Sequence, residues 1–388
     1  MAIKKIQPSQ SFAKIIRMAR FISGVVGADV SNMDYKINII TVIVIICITI
    51  YFIFTASTVA NVFSENWKYM LEASCMVGSV FQGITKLISG ICYTKSISGM
   101  RLELEKLYIE YEAKGEGYCK ALNECCERVW QIIKLVGQLY AASVFGILLL
   151  TAILVIVTDK QVYVMHFFIP GIDVNTHFGY LTTLIVHTVV FLAGGFGLFA
   201  GDLFFLIYLG QPELFRDLLV LKVKNLNEVS AERNVITEKL LIDIIEWHQY
   251  YTDYNKRCNR IFYYIITMQI VTSGISIICT MYIILMGDWP GAYLYIMVAV
   301  CGLYLYCIIG TKIETCNQAF YEELYNINWY NLDVKNQKMM VFILKKSQSP
   351  SEIKIGGVLP LSVQTALSIT KSIYGLFTMM LGFLDEEQ

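Results

Sequence analysis

Seven apolar stretches, each long enough to cross a lipid bilayer, are distributed along this chain of 388 residues. A membrane-spanning helix needs roughly 20 apolar residues. The stretches are Ile37–Thr58, Tyr69–Tyr93, Trp130–Val157, Tyr180–Ala200, Ile261–Met286, Ala292–Thr311 and Leu359–Phe383. A soluble protein with very apolar core helices is the alternative, but residues 37–54 form a run of eighteen without a charge. The sequence therefore predicts an all-α polytopic membrane protein with seven transmembrane helices.

The basic residues are concentrated on one side of these spans. If the N-terminus is cytosolic, the outside segments are Val59–Lys68, Thr158–Gly179, Gly287–Gly291 and the tail after Phe383. Only Lys68 and Lys160, of 31 lysines and arginines, fall in those segments. Cytosolic loops carry the excess of basic residues in membrane proteins. We therefore expect a cytosolic N-terminus and an extracellular C-terminus.

The predicted spans divide the chain into six segments. They are a cytosolic amphipathic arm (1–36), spans one to four (37–210), a cytosolic helical extension (211–260), spans five and six (261–312), a cytosolic anchor helix (313–358), and the last span with an extracellular tail (359–388). The extension and anchor carry apolar faces, so they must pack on each other or on another subunit. We expect the helix of the fourth span to continue past Gln211-Pro212.

The N-terminal arm has apolar residues at helical spacing beside basic ones. These apolar residues are Phe12, Ile15, Ile16, Ala19 and Ile22. The pattern is typical of an amphipathic helix that lies on the inner leaflet of a membrane. A disordered arm is the alternative interpretation.

No catalytic pattern stands out in the sequence. The four histidines form no HExxH motif, and neither a GxSxG elbow nor a P-loop is present. The glycine-rich run Gly194-Gly195-Phe196-Gly197 lies inside a span, where small residues usually permit close helix packing. We therefore expect no enzyme activity, no cofactor, no metal and no nucleic-acid partner. The apolar spans are expected to contact membrane lipid.

Charged residues inside spans are candidates for function. Lys86 and Asp202 lie toward the cytosolic ends of their spans, where they either pair with each other or remain separate at the interface. Separate residues are the more ordinary expectation. Lys371 lies midway along the last span, where a lysine costs about 3 kcal/mol to insert. We therefore expect Lys371 to face water.

The C-terminal quarter contains an ordered series of short motifs: Gly310, Ala319-Phe320-Tyr321-Glu322-Glu323-Leu324-Tyr325, Trp329, Lys345-Lys346-Ser347-Gln348-Ser349-Pro350, Gly356-Gly357, Leu361-Ser362 and Lys371-Ser372-Ile373-Tyr374. In this order and spacing they resemble the tail of the insect odorant receptor family. Asp202 also matches a common family position. The family often has serine after the tyrosine, whereas Gly375 follows Tyr374 here. The shared co-receptor has an insertion in its second intracellular loop, so this shorter chain is more similar to an odour-tuning subunit.

This resemblance implies a ligand-gated, non-selective cation channel. Tuning subunits of the family combine with the co-receptor, usually as tetramers, around a pore lined by the last span. The implied ligand is a small volatile molecule, and the implied location is the plasma membrane of olfactory sensory neurons. The cytosolic helices would then form the anchor where subunits meet.

We expect the ligand pocket in the outer halves of spans two, three, four and six, because such a pocket is mostly apolar with a few polar groups. The candidate ligand-binding residues are Met70, Ser74, Val77, Phe81, Phe145, Leu149, Tyr180, Thr183, His187, Tyr293 and Met297. Plain packing between helices is the alternative for each of them.

The family resemblance, aligned on Tyr374, implies a hydrophobic gate at Phe377 and Leu381. Residues four apart share a helical face, and a ring of apolar side chains can close a pore by excluding water. Lys371 and Tyr374 complete the predicted pore set. Lipid-facing or interhelical packing is the alternative.

Two other classes remain open at this point. A G-protein-coupled receptor would have the opposite topology, and its Asp/Glu-Arg-Tyr and Asn-Pro-x-x-Tyr motifs are missing from the sequence. A secondary transporter would be built from paired halves with broken spans, and no such repeat is visible.

Overall fold

The computed structural model of the protein describes residues 7–62, 67–158, 161–229, 234–286 and 289–386. Twelve α-helices lie within these ranges: α1 (Pro8–Val25), α2 (Ile39–Val62), α3 (Trp67–Cys75), α4 (Val77–Cys92), α5 (Thr94–Glu112), α6 (Glu116–Thr158), α7 (His177–Leu209), α8 (Pro212–Glu228), α9 (Asn234–Met286), α10 (Ala292–Tyr325), α11 (Val334–Ser347) and α12 (Val363–Glu386). A short 3₁₀ turn (Trp329–Asn331) and a hairpin of β1 (Lys354–Ile355) and β2 (Leu359–Pro360) complete the description. The all-α prediction is confirmed, with this small hairpin as an exception.

Six helical stretches of the described ranges are long and apolar enough to cross a membrane. They are Ile39–Asn61, Met70–Cys92, Glu116–Thr158, His177–Glu228, Val235–Leu285 and Ala292–Asn331, and each overlaps one predicted span. The seventh predicted span corresponds to α12. Its 24 residues measure about 36 Å, enough to cross a bilayer, but polar residues such as Gln364 and Lys371 make it less apolar than the others.

The last span begins later than predicted. Leu359 and Pro360 belong to strand β2, which pairs antiparallel with β1, so the expected helix start at Leu359 is wrong. Gly356 and Gly357 have φ values of 58° and 76°. These values lie in the left-handed region, which glycine adopts without strain. The chain therefore turns back on itself before α12 starts at Val363.

The second and fourth spans are each interrupted. The second divides at Met76 into α3 and α4, and the carbonyl of Cys75 accepts hydrogen bonds from Ser276 Oγ at 3.4 Å and Tyr295 Oη at 3.3 Å. The fourth was expected to continue through Pro212, but α7 ends at Leu209 and α8 starts at Pro212. Proline lacks the N–H that would continue the helix, so the break falls there.

The predicted N-terminal helix is present as α1, but its apolar face does not meet lipid. Phe12, Ile15 and Ile16 are buried against α5, α6 and α7. The rings of Phe12 and Tyr108 stack with their centroids 4.3 Å apart. Helix α1 is therefore part of the protein core, and an interfacial position for this face is wrong.

The larger apolar core extends toward the predicted cytosolic end. It includes residues of α1 and of every helix from α5 to α12. A smaller apolar core at the opposite, predicted outer end includes Tyr51, Cys75, Ile147 and Phe167. The division into six segments remains a prediction, and Lys160, Glu387 and Gln388 lie outside the described residues.

Candidate functional site

A cavity of about 380 Å³ lies among α2, α4, α6, α7, α9 and α10. Its wall is mainly apolar and includes Ile48, Tyr51, Val80, Val144, Phe191 and Val298. It extends from Met165, in the segment before α7, to Val30 and Ile97 near the start of α5. A cavity of this size suits a small organic molecule.

An outer strap, residues 161–168, closes the predicted outer end of the cavity. The Phe167 ring makes edge contacts with Tyr51 and His187, at centroid distances of 5.5 and 4.4 Å. The carbonyl of Phe167 lies 2.9 Å from His187 Nε2, and the Phe168 N–H donates to Thr58 Oγ1 at 2.8 Å. The strap is thus attached to both α2 and α7, and Met165 contributes to the cavity wall beneath it.

The strap also carries a half-buried histidine. His166 Nε2 lies 3.4 Å from Glu72 Oε2, and the ring packs edge-on against Trp289 at 5.6 Å. Burial, and secondly the nearby His187, lowers the pKa of His166 to about 4. The His166 imidazole is therefore neutral at pH 7, and its contact with Glu72 is not an ion pair at that pH.

A buried charged cluster forms one wall in the inner half of the cavity. Lys86 Nζ lies 2.6 Å from Asp202 Oδ1, and both side chains are only 2% exposed. Tyr140 donates to Asp202 Oδ2 at 2.7 Å, and Tyr306 donates to Oδ1 at 2.5 Å. The expectation that Lys86 and Asp202 stay separate is therefore wrong, because α4 and α7 pack directly against each other.

Lys86 reaches Asp202 because α7 has a glycine at the contact. A Cβ at Gly201 would lie 2.8 Å from both Cβ and Cδ of Lys86. Lys86 and Tyr140 belong to the cavity wall, and Lys86 is the one charged residue among the described lining residues. The cluster thus connects the cavity to α10 through Tyr306.

The eleven predicted ligand-binding residues take other positions. Among the described residues none of the eleven lines the cavity. Phe81, Phe145, Leu149, Tyr293 and Met297 are 43–63% exposed on the outside of the bundle. Tyr180, Thr183 and His187 are buried near the strap, and Met70, Ser74 and Val77 are partly buried on α3 and α4. Their role in ligand binding remains a prediction.

Most of the predicted residues lie on helices that line the cavity, but on other faces of those helices. The lining residues Ser79, Val80, Ser143, Ile147, Tyr295 and Val298 lie beside the predicted ones on α4, α6 and α10. A membrane-facing row and a cavity-facing row are both apolar, so composition does not separate them. The run Gly194–Gly197 did indicate part of the cavity wall in the sequence, because Gly194, Gly195 and Gly197 line the cavity. A Cβ at Gly195 would lie 2.6 Å from Val144 Cγ2, as expected for close helix packing.

Helix α12 has two unlike faces. Ala366 and Ile373 are buried, and the helix packs on α9 and α10. Gln364, Ser368, Lys371 and Gly375 recur at helical spacing along the exposed face. Lys371 is therefore exposed in this subunit, and Tyr374 is 65% exposed. That Lys371 faces water remains a prediction.

The predicted gate residues are less exposed than this polar row. Phe377 and Leu381 are both half-buried. By helical geometry Phe377 lies about 40° around the helix from the buried Ile373, whereas Leu381 lies about 20° from the exposed Tyr374. Their assignment to a gate remains a prediction.

Comparison with known proteins identifies the family. The profile described as "7tm Odorant receptor" matches residues 66–374. Odorant receptor 83c of Drosophila melanogaster is 31% identical over 97% of this chain and 98% of that protein. Odorant receptor 22c of the same fly is 24% identical over 53% of this chain and 50% of that protein.

Solved structures with the same fold include the olfactory receptor OR5 of the insect Machilis hrabei. Its complex with eugenol superposes with a TM-score of 0.76, 14% identity and coverage of 97% of this chain and 99% of that one. The receptor without that ligand gives a TM-score of 0.76 at 15% identity, covering 96% and 98%. With a family profile over most of its length and a full-length relative, this chain belongs to the 7tm odorant receptor family.

Proposed function

We propose that this chain is the odorant-binding, tuning subunit of a ligand-gated, non-selective cation channel. The observation that carries the proposal is the apolar cavity among the spans. An apolar chamber of about 380 Å³ with few polar groups is suited to a small volatile molecule. The related fold of Machilis hrabei OR5 in complex with eugenol supports this choice of ligand size.

The binding energy would come mainly from burial of apolar surface. A small aromatic volatile that buries roughly 200 Å² gains about 5 kcal/mol at about 25 cal/mol per Å², before the entropy cost of binding. Micromolar potency corresponds to about 8 kcal/mol, so packing contacts and hydrogen bonds would have to supply about 3 kcal/mol more and offset the entropy cost.

The packing supports a route from the cavity to α12. Ile261, Phe262 and Ile265 of α9, and Tyr295 and Val298 of α10, belong to the cavity wall. Helix α12 packs on these same two helices farther along. A ligand that shifts α10 therefore acts on the helix that we assign to the pore.

We further propose that the chain assembles with the family co-receptor, as a tetramer, in the plasma membrane of olfactory sensory neurons. Each subunit would place α12 beside a central pore, with the N-terminus cytosolic and the C-terminus extracellular. The exposed polar row of Gln364, Ser368 and Lys371 supports a watery surrounding for this face, since polar groups facing lipid are costly. Phe377 and Leu381 remain the proposed gate.

The test is current recording from cells that express this chain with the co-receptor, during pulses of small volatiles. Ser143→Phe would fill the cavity from α6, whereas Ile153 on the same helix is 47% exposed and serves for the control Ile153→Phe. We expect Ser143→Phe to raise the half-maximal ligand concentration at least about tenfold, and Ile153→Phe to leave it unchanged. Equal potency in both variants would place the ligand elsewhere.

A further inference from the structure

The cavity is long rather than round. Its wall follows α4 from Met76, at the start of that helix, to Gly90, and it follows α7 from Val189 to Phe204. At about 1.5 Å per residue these two stretches measure about 21 and 22 Å. The cavity therefore runs along both helices through most of the hydrocarbon layer, which is about 30 Å thick. A compact ring compound would occupy only part of that length.

The two halves of the cavity have different walls. Helix α10 lines the outer half, through Tyr295 and Val298. The inner half is lined instead by α9, by α5 and by the segment between α1 and α2, through Ile265, Ile97 and Val30. The inner half thus extends the cavity well beyond the outer halves of the spans, where the sequence predicted the pocket.

The inner half presents a hydrocarbon surface to a ligand. Lys86 Nζ has almost no accessible surface, because Asp202 holds it at 2.6 Å and the centre of the Tyr306 ring lies 5.8 Å away. The lysine therefore contributes its methylene stem to the wall. Ser23 Oγ donates to the carbonyl of Ala19 at 2.7 Å. Since burial of a polar ligand group without a partner is unfavourable, this half favours an apolar part of the ligand.

The cavity opens sideways toward lipid. The exposed residues of its described wall are Ile43 on α2 and Val189, Ala193 and Gly194 on α7. Helix α2 packs mainly on α3 and only lightly on α4 and α7. The opening between α2 and α7 therefore faces the hydrocarbon of the bilayer, in which an apolar chain dissolves readily.

We infer that the cavity binds an elongated aliphatic chain, which enters from the bilayer between α2 and α7, lies along α4 and α7 and reaches into the inner half. This inference rests on the proposed function and names the shape class of the ligand for the same cavity. A carbon–carbon bond of about 1.5 Å advances an extended chain by about 1.25 Å, so about 21 Å holds at most about 16 carbons. Each further methylene that the wall removes from water strengthens binding about fourfold.

The first test compares ligands of equal carbon number and different shape in the assembled wild-type channel. Dodecan-1-ol is paired with cyclododecanol, which dissolves in membranes to a similar extent but is compact. Dodecan-1-ol should act at a concentration at least about tenfold lower, since the ring leaves two or more methylenes' length of wall unfilled. In the series from hexan-1-ol to octadecan-1-ol, the half-maximal concentration should fall with each carbon and rise again beyond about 16.

The second test shortens the cavity. Gly83 lies halfway along the α4 wall, and a Cβ there meets only Leu198, at 3.9 Å. Gly83→Leu should leave about 10 Å of outer cavity and move the best chain length to about 8 carbons, with responses to short alcohols retained. Ser89→Leu fills only the inner end and should shorten the best chain by a few carbons. Gly99→Leu on α5 is the control, because a Cβ there meets nothing within 4 Å.

The lipid itself is the other source of an aliphatic chain. The channel is therefore reconstituted in vesicles of dioleoyl phosphatidylcholine, whose chains are unbranched, and of diphytanoyl phosphatidylcholine, whose chains are branched. We expect the same best chain length of added alcohol in both. A chain-length preference that is lost in dioleoyl vesicles alone would assign the cavity to lipid acyl chains and overturn the inference.

The outcomes separate this inference from the proposed function. If Ser143→Phe weakens all responses but Gly83→Leu and Ser89→Leu keep the best chain length of the wild type, the cavity is the binding site and the elongated ligand is wrong. If Ser143→Phe changes nothing, the proposed site itself fails. Equal potency of dodecan-1-ol and cyclododecanol in the wild type would overturn the inference without any variant. So would a series in which no straight-chain alcohol activates, inhibits or thermally stabilises the assembled channel.

Discussion

The buried ion pair of Lys86 and Asp202 is the residue-scale feature with the largest energetic consequence. Removing one member of a buried pair leaves the other charge uncompensated and typically costs about 3–5 kcal/mol. We predict that Asp202→Leu alone strongly reduces the amount of receptor at the cell surface, because Lys86 and the hydroxyls of Tyr140 and Tyr306 lose their acceptor. Adding Lys86→Met should restore much of it. Surface labelling of a tagged chain measures both, and a double variant no better than Asp202→Leu would contradict the prediction.

The lowered pKa of His166 leads to a second prediction at the residue scale. Its pKa is lowered to about 4 by burial, below the ordinary value of about 6.5. When the strap is open, His166 binds a proton with a pKa of about 6.5; when the strap is closed, it does so only near pH 4. The closed strap is therefore favoured above about pH 6.5 and loses stability as the pH falls toward 4. We predict faster hydrogen exchange in residues 161–168 at pH 5 than the intrinsic exchange rate explains. His166→Leu should remove this acid sensitivity; acid sensitivity unchanged in that variant would assign it to another group.

At the scale of elements, the junction between α10 and the hairpin controls where α12 begins. A Cβ at Gly310 would lie 2.0 Å from the carbonyl oxygen of Leu361, and Val363 N–H donates to Thr311 Oγ1 at 2.9 Å. We predict that Gly310→Ala displaces the hairpin and abolishes most ligand-evoked current. Gly274→Ala on α9 is the matched control, since a Cβ there makes only an ordinary contact with Ile373 at 3.9 Å. Normal current from Gly310→Ala at equal surface expression would show that the junction tolerates this shift.

The elements also show what sequence could and could not provide. Apolar length located the spans, because a bilayer imposes one hydrophobic thickness on each of them. Phe12 and Ile15 marked the apolar face of α1 in the sequence. A helix that packs on lipid and a helix that packs on protein both need such a face, so the sequence did not decide between the two. The pairing of Lys86 with Asp202 depends on how two helices cross. For the same reason the cavity face of α6, with Ser143, could not be separated from the outward face with Phe145.

At the scale of the whole molecule, assembly is the central expectation. We predict that this chain alone gives little or no ligand-evoked current and that the family co-receptor restores it. A C-terminal tag should be accessible to antibody on intact cells. Large currents from this chain in cells without any partner would argue against a heteromer, and a tag that is reached only after permeabilisation would reverse the proposed orientation.

The unbroken length of α9 has a mechanical consequence. Its 53 residues extend for about 80 Å, while the hydrocarbon layer is about 30 Å thick. A rod of that length that pivots by about 3° moves its far end by about 4 Å. Transmembrane helices tilt when the thickness of the surrounding lipid changes. We therefore predict that the tilt of α9 depends on the thickness of the bilayer, so that the proposed channel should open at different ligand concentrations in thin and thick membranes.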